Sequence, residues 1–159
     1  MIEVNFYAIF LDNTTKILIS LLEKSYSLKA SAYLIVKDKV VAQKIDQILW
    51  SSSTWLPHCL DNEDMAKNSP IIITTDAEQP FKEKSEDDQQ FLFLFEDAEF
   101  ENKAYENLTV FKKVFVIFNA QNEDILKFNR KRWKQWQQSG LKLDLKYYKQ
   151  SADGKFEKV

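Results

Sequence analysis

The chain's single histidine, His58, and single cysteine, Cys59, are adjacent. Adjacency makes a Cys–His nucleophilic pair sterically awkward, and one residue of each type excludes a conventional zinc site. A Ser–His arrangement drawing on Ser51, Ser52 or Ser53 stays open, but nothing places an oxyanion hole beside it, and His58 reads as structural. Asp61, Glu63 and Asp64 have the residue types for a cation, and equally those of a solvated loop. The two glycines, Gly140 and Gly154, are too few for GxGxxG or GxxxxGK[ST], so neither phosphate-binding loop can be built. No catalytic residue, metal ligand or cofactor is assigned.

What remains is recognition chemistry, and it concentrates in RKRWKQWQQSG, Arg130 to Gly140. Two tryptophans sit there among four cations. At about 100° per residue, Ile125, Phe128, Arg132 and Trp136 cluster in one inward direction. Leu126, Trp133 and Gln137 fall on one shoulder of that stripe. Arg130 lies just beyond them, with Lys134 one turn on. Arg130 and Trp133 are therefore i, i+3 neighbours at the boundary between core and water. A ring slot beside a planar cation suits a peptide that ends in an aromatic residue and a free carboxylate. Lys127, Lys131 and Lys134 would meet acidic residues upstream of that end. Trp133 as a core residue, with cations complementing the helix C-terminal dipole, is the competing reading. Trp136 reads as core.

Charge sharpens the contrast. The net charge is −2, so the molecule as a whole is no polyanion binder. From Lys127 to Lys149, however, eight Lys or Arg face one acid, Asp144, a local +7. The rest is acidic, notably EKSEDD at Glu83 to Asp88. From charge alone the basic run reads either as a solvated helix face with no partner or as a face for an anionic partner, an acidic peptide or single-stranded nucleic acid stacked on Trp133, Tyr147 and Tyr148.

The elements that must position these residues alternate. Continuous apolar runs predict strands at Val4–Phe10, Ala32–Val36, Ile71–Thr75, Phe91–Phe95 and Lys113–Phe118. Amphipathic helices follow the first two, one capped by Asn13 or Thr14, the next with Val40, Val41, Ile45, Ile48 and Leu49 on one side. A long helix spans about Asn122 to Ser139 and ends at Gly140. Leu141 to Tyr148 alternates and reads as a partly exposed edge strand. The pattern predicts an α/β fold: a single domain over 1–149 with a mostly parallel central sheet covered by helices on both faces, Rossmann-like without a nucleotide-binding loop. Residues 150–159 read as a loose polar tail, and Glu78 to Gln90 as a mobile acidic loop.

A length of 159 residues suits one domain that buries roughly two-thirds of its unfolded surface. A lone cysteine permits no internal disulfide, which fits a reducing, cytoplasmic setting. MIEVNFYAIFLDN reads as a strand and not as a signal peptide, and no apolar run approaches the ~20 residues of a membrane span.

Two further stretches carry a resemblance. Trp50 closes a helix before WLPHCL, Trp55 to Leu60, and RKRWKQWQQSGLKL, Arg130 to Leu143, is an Arg-x-x-aromatic helix ending in glycine before a strand. With the opening FYAIFLDNTT, this ordered set resembles the chi subunit family of bacterial DNA polymerase III across nearly the whole chain. The tail YYKQSADGKFEKV is similar to the longer alphaproteobacterial form. The resemblance implies a non-catalytic accessory subunit of the clamp-loader assembly that binds the acidic C-terminal tail of single-stranded DNA-binding protein and meets DNA mainly indirectly. It implies that Arg130 and Trp133 form the tail pocket, with tryptophan where tyrosine is more usual. Leu126 falls where some members have a lysine, with Lys127 beside it, and Lys134 and Gln137 complete the site. A second surface, toward the psi subunit or another clamp-loader component, maps by resemblance onto Trp50, Trp55 and Leu56. From the residues alone, the two tryptophans either cap the core or form an exposed patch.

Overall fold

A computed structural model describes residues 1–52, 55–61, 69–77, 89–100 and 108–159. Glu63, Asp64, Ser53 and residues 78–88 of the expected acidic loop lie outside them; Gln90, its expected last residue, is instead the buried first residue of a strand. Nearly continuous apolar runs in VNFYAI, YLI, IIIT, FLFLF and VFVIF, broken only by Asn5 and Thr74, can be buried only by layers on both faces of a sheet. The strands that form are β1 (Ile2–Ile9), β2 (Ser31–Ile35), β3 (Cys59–Leu60), β4 (Ile71–Thr74), β5 (Gln90–Phe95), β6 (Lys113–Asn119), β7 (Leu143–Gln150) and β8 (Phe156–Lys158). They make one sheet in the order β3-β4-β2-β5-β6-β1-β7-β8, parallel throughout except for the β7–β8 pair.

The helices are α1 (Thr14–Ser27), α2 (Lys39–Ser51) and α3 (Glu123–Gln137). Leu18 and Leu22 of α1 and Ala42, Ile45 and Leu49 of α2 pack with Ile9, Phe93 and Ile117 on one face of the sheet. Trp136 of α3 packs with Phe6, Val114 and Val116 on the other. This is the expected mostly parallel sheet with helices on both faces. Within α2 one expectation fails. Val40 is 75% exposed, because the buried stripe runs Ala42, Ile45, Leu49 and Val40 lies about 200° from Ala42 on the helix.

α3 is well delimited. Asn122 Oδ1 accepts from the backbone N–H groups of Asp124 and Ile125 at 3.0 and 3.2 Å. Glu123 and Asp124 place negative charge on its first turn and Lys134 positive charge on its last, both favourable to the helix dipole. Gly140 follows at φ +76°, a left-handed conformation that releases the chain toward β7.

The C-terminal residues are not loose. β7 runs to Gln150, and the chain turns back so that Phe156–Lys158 pairs antiparallel with it. β7 is thus an edge only along its first residues. Gln150 is buried. Its Oε1 accepts from the N–H groups of Phe10 and Leu11 at 3.1 and 3.0 Å, and its Nε2 donates to Asn13 Oδ1 at 3.3 Å. Asn13 occupies the α1 cap position without a side-chain bond into the helix.

Candidate protein-binding site between α3 and β7

In an open α/β sheet, ligands usually sit at the C-terminal ends of strands where neighbouring connections leave toward opposite faces. β1 and β6 are such neighbours here, leading to α1 and α3 on opposite faces. That position is occupied from within. The N–H groups of the β1–α1 turn, which would hold a phosphate in a nucleotide-binding relative, are bonded to Gln150.

The rotation of α3 about its axis decides what it offers instead. Asn129 is fully buried, and its Nδ2 donates to the carbonyls of Glu96 and Ile125, each at 3.0 Å. Arg132 donates from Nη1 to Asn129 Oδ1 at 3.2 Å and from Nη2 to the Ala98 carbonyl. Its guanidinium lies 4.8 Å from the centre of the Phe128 ring. Arg132 points inward as its place on the helix requires, and between them Arg132 and Asn129 satisfy the Ala98 and Glu96 carbonyls after β5. With that side tied down, Leu126, Arg130, Trp133 and Gln137 turn toward β7.

Trp133 is half-buried. Its ring meets Phe6 edge-on at 5.1 Å and 83°, and Tyr147 at 5.6 Å and 90°. Tyr147 stacks on Phe6 at 6.3 Å and 14°. The core and boundary readings of Trp133 are thus both partly true: one side of the indole supports the core and the rest reaches the surface. Trp136, one turn on, is core as expected. Leu126 is half-buried and packs with Leu141, Leu143 and Leu145 into the same apolar layer. Arg130, Lys127, Lys131, Lys134 and Gln137 are exposed.

Arg130 stands beside Tyr147. Burial pushes the Tyr147 hydroxyl above the ordinary phenol range, and the Arg130 cation pulls it partly back. None of the ion pairs formed among the described residues involves Arg130. Asp144, the one acid of the basic segment, is answered by Lys146 at 3.5 Å, and Lys146 also reaches Glu3 at 3.7 Å. The result is a planar cation outside those ion pairs, beside an apolar corner where the rings of Trp133 and Tyr147 meet. Tyr147 entered the sequence reading only as a nucleic-acid stacking group. Its pairing opposite Phe6, in the register of β1 and β7, brings it to Trp133.

The second predicted surface divides. Trp50 and Trp55 are 64% and 70% exposed, but Leu56 is 2% exposed and belongs to the core on the α1–α2 face. Leu56 therefore supports this surface from beneath and offers nothing to a partner. His58 is buried, with Nδ1 2.7 Å from the Leu56 carbonyl and Nε2 3.1 Å from Asp46 Oδ1 without an aligned hydrogen bond. The Trp50 ring lies 4.8 Å from the imidazole. Ser51 donates to the carbonyls of Gln47 and Ile48 within its own helix. The Asp61 carboxylate accepts from the Thr74 hydroxyl at 2.6 Å. Among the described residues no three His, Cys, Asp or Glu gather as a metal site would need, and no helix is long and apolar enough to cross a membrane.

Residues 1–144 match the family model of the DNA polymerase III chi subunit, HolC. The chain belongs to the chi subunit family. No individually curated protein matches it significantly. Membership gives the chain an accessory role in the DNA polymerase III holoenzyme and associates it with other holoenzyme components. The chi match ends at Asp144, the second residue of β7. Tyr147, Gln150 and β8 therefore lie beyond the part of the chain that the family describes.

Proposed function

We propose that this chi-family protein links the clamp loader to single-stranded DNA-binding protein, holding that protein's acidic C-terminal tail in the corner between α3 and β7. The observation that carries the reading is Arg130: exposed, outside every ion pair of the described residues, and adjacent to an apolar wall of Trp133 and Tyr147. The guanidinium takes the terminal carboxylate, the rings take the last aromatic side chain, and Lys127 and Lys134 attract the acidic residues before it. The exposed Trp50, at the end of α2, and Trp55, on the α2–β3 connection, face the psi subunit or another clamp-loader component.

Trp133 and Tyr147 meet at 90°, a corner that suits one terminal side chain better than successive bases, which stack on a flat platform. The test is fluorescence polarisation with a labelled peptide ending in an acidic run and phenylalanine, free or amidated at its C-terminus, beside a bare oligonucleotide at the same salt. Free peptide should bind and amidated peptide should bind at least about tenfold more weakly. Equal binding of the two peptides, with oligonucleotide preferred, would put direct nucleic-acid binding in its place.

A further inference from the structure

β7 is longer than the strand beside it. β8 pairs only with Tyr148, Lys149 and Gln150, and one more bond, from the Val159 N–H to the Tyr147 carbonyl at 2.9 Å, ends the ladder. The direction of the remaining backbone groups follows from the β1–β7 register. Ile2 pairs with Leu143 in parallel, and its N–H donates to the Lys142 carbonyl. In a parallel ladder the groups alternate, so even-numbered residues of β7 face β1 and odd-numbered ones face outward. The Val159 bond to Tyr147 fits that parity. The Leu143 N–H turns back to the Leu141 carbonyl at 3.0 Å. That leaves the Leu143 carbonyl, both backbone groups of Leu145 and the Tyr147 N–H along an edge where no strand pairs among the described residues. Such a row is a template for another chain.

This edge lies beside the corner. Leu143, Leu145 and Tyr147 share the apolar layer that contains Trp133 and Leu126. From Tyr147 to Leu145 is two residues, about 7 Å along a strand. The charge there is selective: exposed Lys142 adjoins the edge in sequence and Lys127 and Lys134 are exposed on α3, whereas Asp144 is already paired with Lys146.

We infer that the open half of β7 binds the residues upstream of the peptide's C-terminus as an added strand, so that an acidic segment is gripped by its backbone as well as by its end. The inference rests on the pocket proposed above. A terminal residue held by Arg130 and Trp133 delivers the preceding residues to Leu145, where their backbone exchanges hydrogen bonds with the edge. Recognition of this kind uses main-chain bonds for affinity and alternate side chains for selectivity.

The experiment compares four-residue and ten-residue acidic peptides with the same C-terminal phenylalanine, and a series of the longer one N-methylated at single upstream residues. The longer peptide should bind more tightly. N-methylation should weaken it about three- to tenfold at alternate residues and leave the others unchanged. Leu145→Pro, which removes an outward N–H, should abolish the gain from length without altering affinity for the short peptide, and Leu145→Ala should retain it. A gain from length that ignores N-methylation at every residue and vanishes in high salt overturns the added strand while the pocket stands. Failure of the short peptide to bind, or its indifference to Arg130→Ala, removes the pocket and the strand together.

Discussion

Replacing Arg130 by alanine separates binding from folding in a single change. Arg130 is exposed and outside every ion pair of the described residues, and alanine is the better helix former. Stability should therefore stay within about 0.5 kcal/mol of the parent. Binding should not. A hydrogen bond to a charged group contributes about 1.5–3 kcal/mol, which corresponds to roughly a 10- to 150-fold rise in Kd for a peptide with a free terminus. Amidating the peptide removes the same contact from the other side, so variant and amide together should cost little more than either alone. Lys131→Ala should do less, because it supplies only screened attraction. The cation's second effect is on Tyr147, whose hydroxyl is held up by burial and drawn down by Arg130. Arg130→Ala should move that hydroxyl's titration further toward alkaline pH, readable by carbon NMR of labelled tyrosine. Polarisation titrations at fixed salt give the four affinities. A Kd within twofold of the parent, or full additivity of variant and amide, would refute the carboxylate reading.

Three other outcomes follow from the geometry. Trp50→Ala and Trp55→Ala, both at exposed positions, should weaken capture by clamp-loader components and leave tail-peptide affinity unchanged; intact capture by both variants would end that assignment. Gln150→Ala leaves the N–H groups of Phe10 and Leu11 without their acceptor, so it should cost about 1–3 kcal/mol in urea unfolding, as a trimmed loose tail would not. Burial, with Tyr148 and Glu3 nearby, pushes the Tyr7 hydroxyl from 10.0 up to about 12. Because the folded value is the higher one, its contribution to stability is complete below pH 10 and is lost as pH rises toward about 12; Tyr7→Phe should flatten the fall in melting temperature across that window.

What could be read in the sequence was whatever one element decides by its own period. The α3 stripe placed Trp136 and Arg132 inward and Trp133 at the boundary, because a helix repeats every 3.6 residues wherever it packs. Continuous apolar strands required a sheet covered on both sides, and two glycines ruled out a phosphate loop. Loops and pairings have no such period. Leu56 sits between the exposed Trp55 and half-buried Pro57, and nothing in that segment marks it as the buried one. Gln150 in a polar tail gives no sign of its bonds to Phe10 and Leu11, about 140 residues away. The basic run was plain as a total, but which cations stood outside the ion pairs was not: Lys146 is drawn to Glu3, a residue of β1, and Arg130 is left out. Tyr147 becomes part of the corner only because β7 lies parallel to β1 with Phe6 opposite it. Local periodicity chose the faces; long-range strand pairing, which costs chain entropy and leaves no local trace, chose their neighbours.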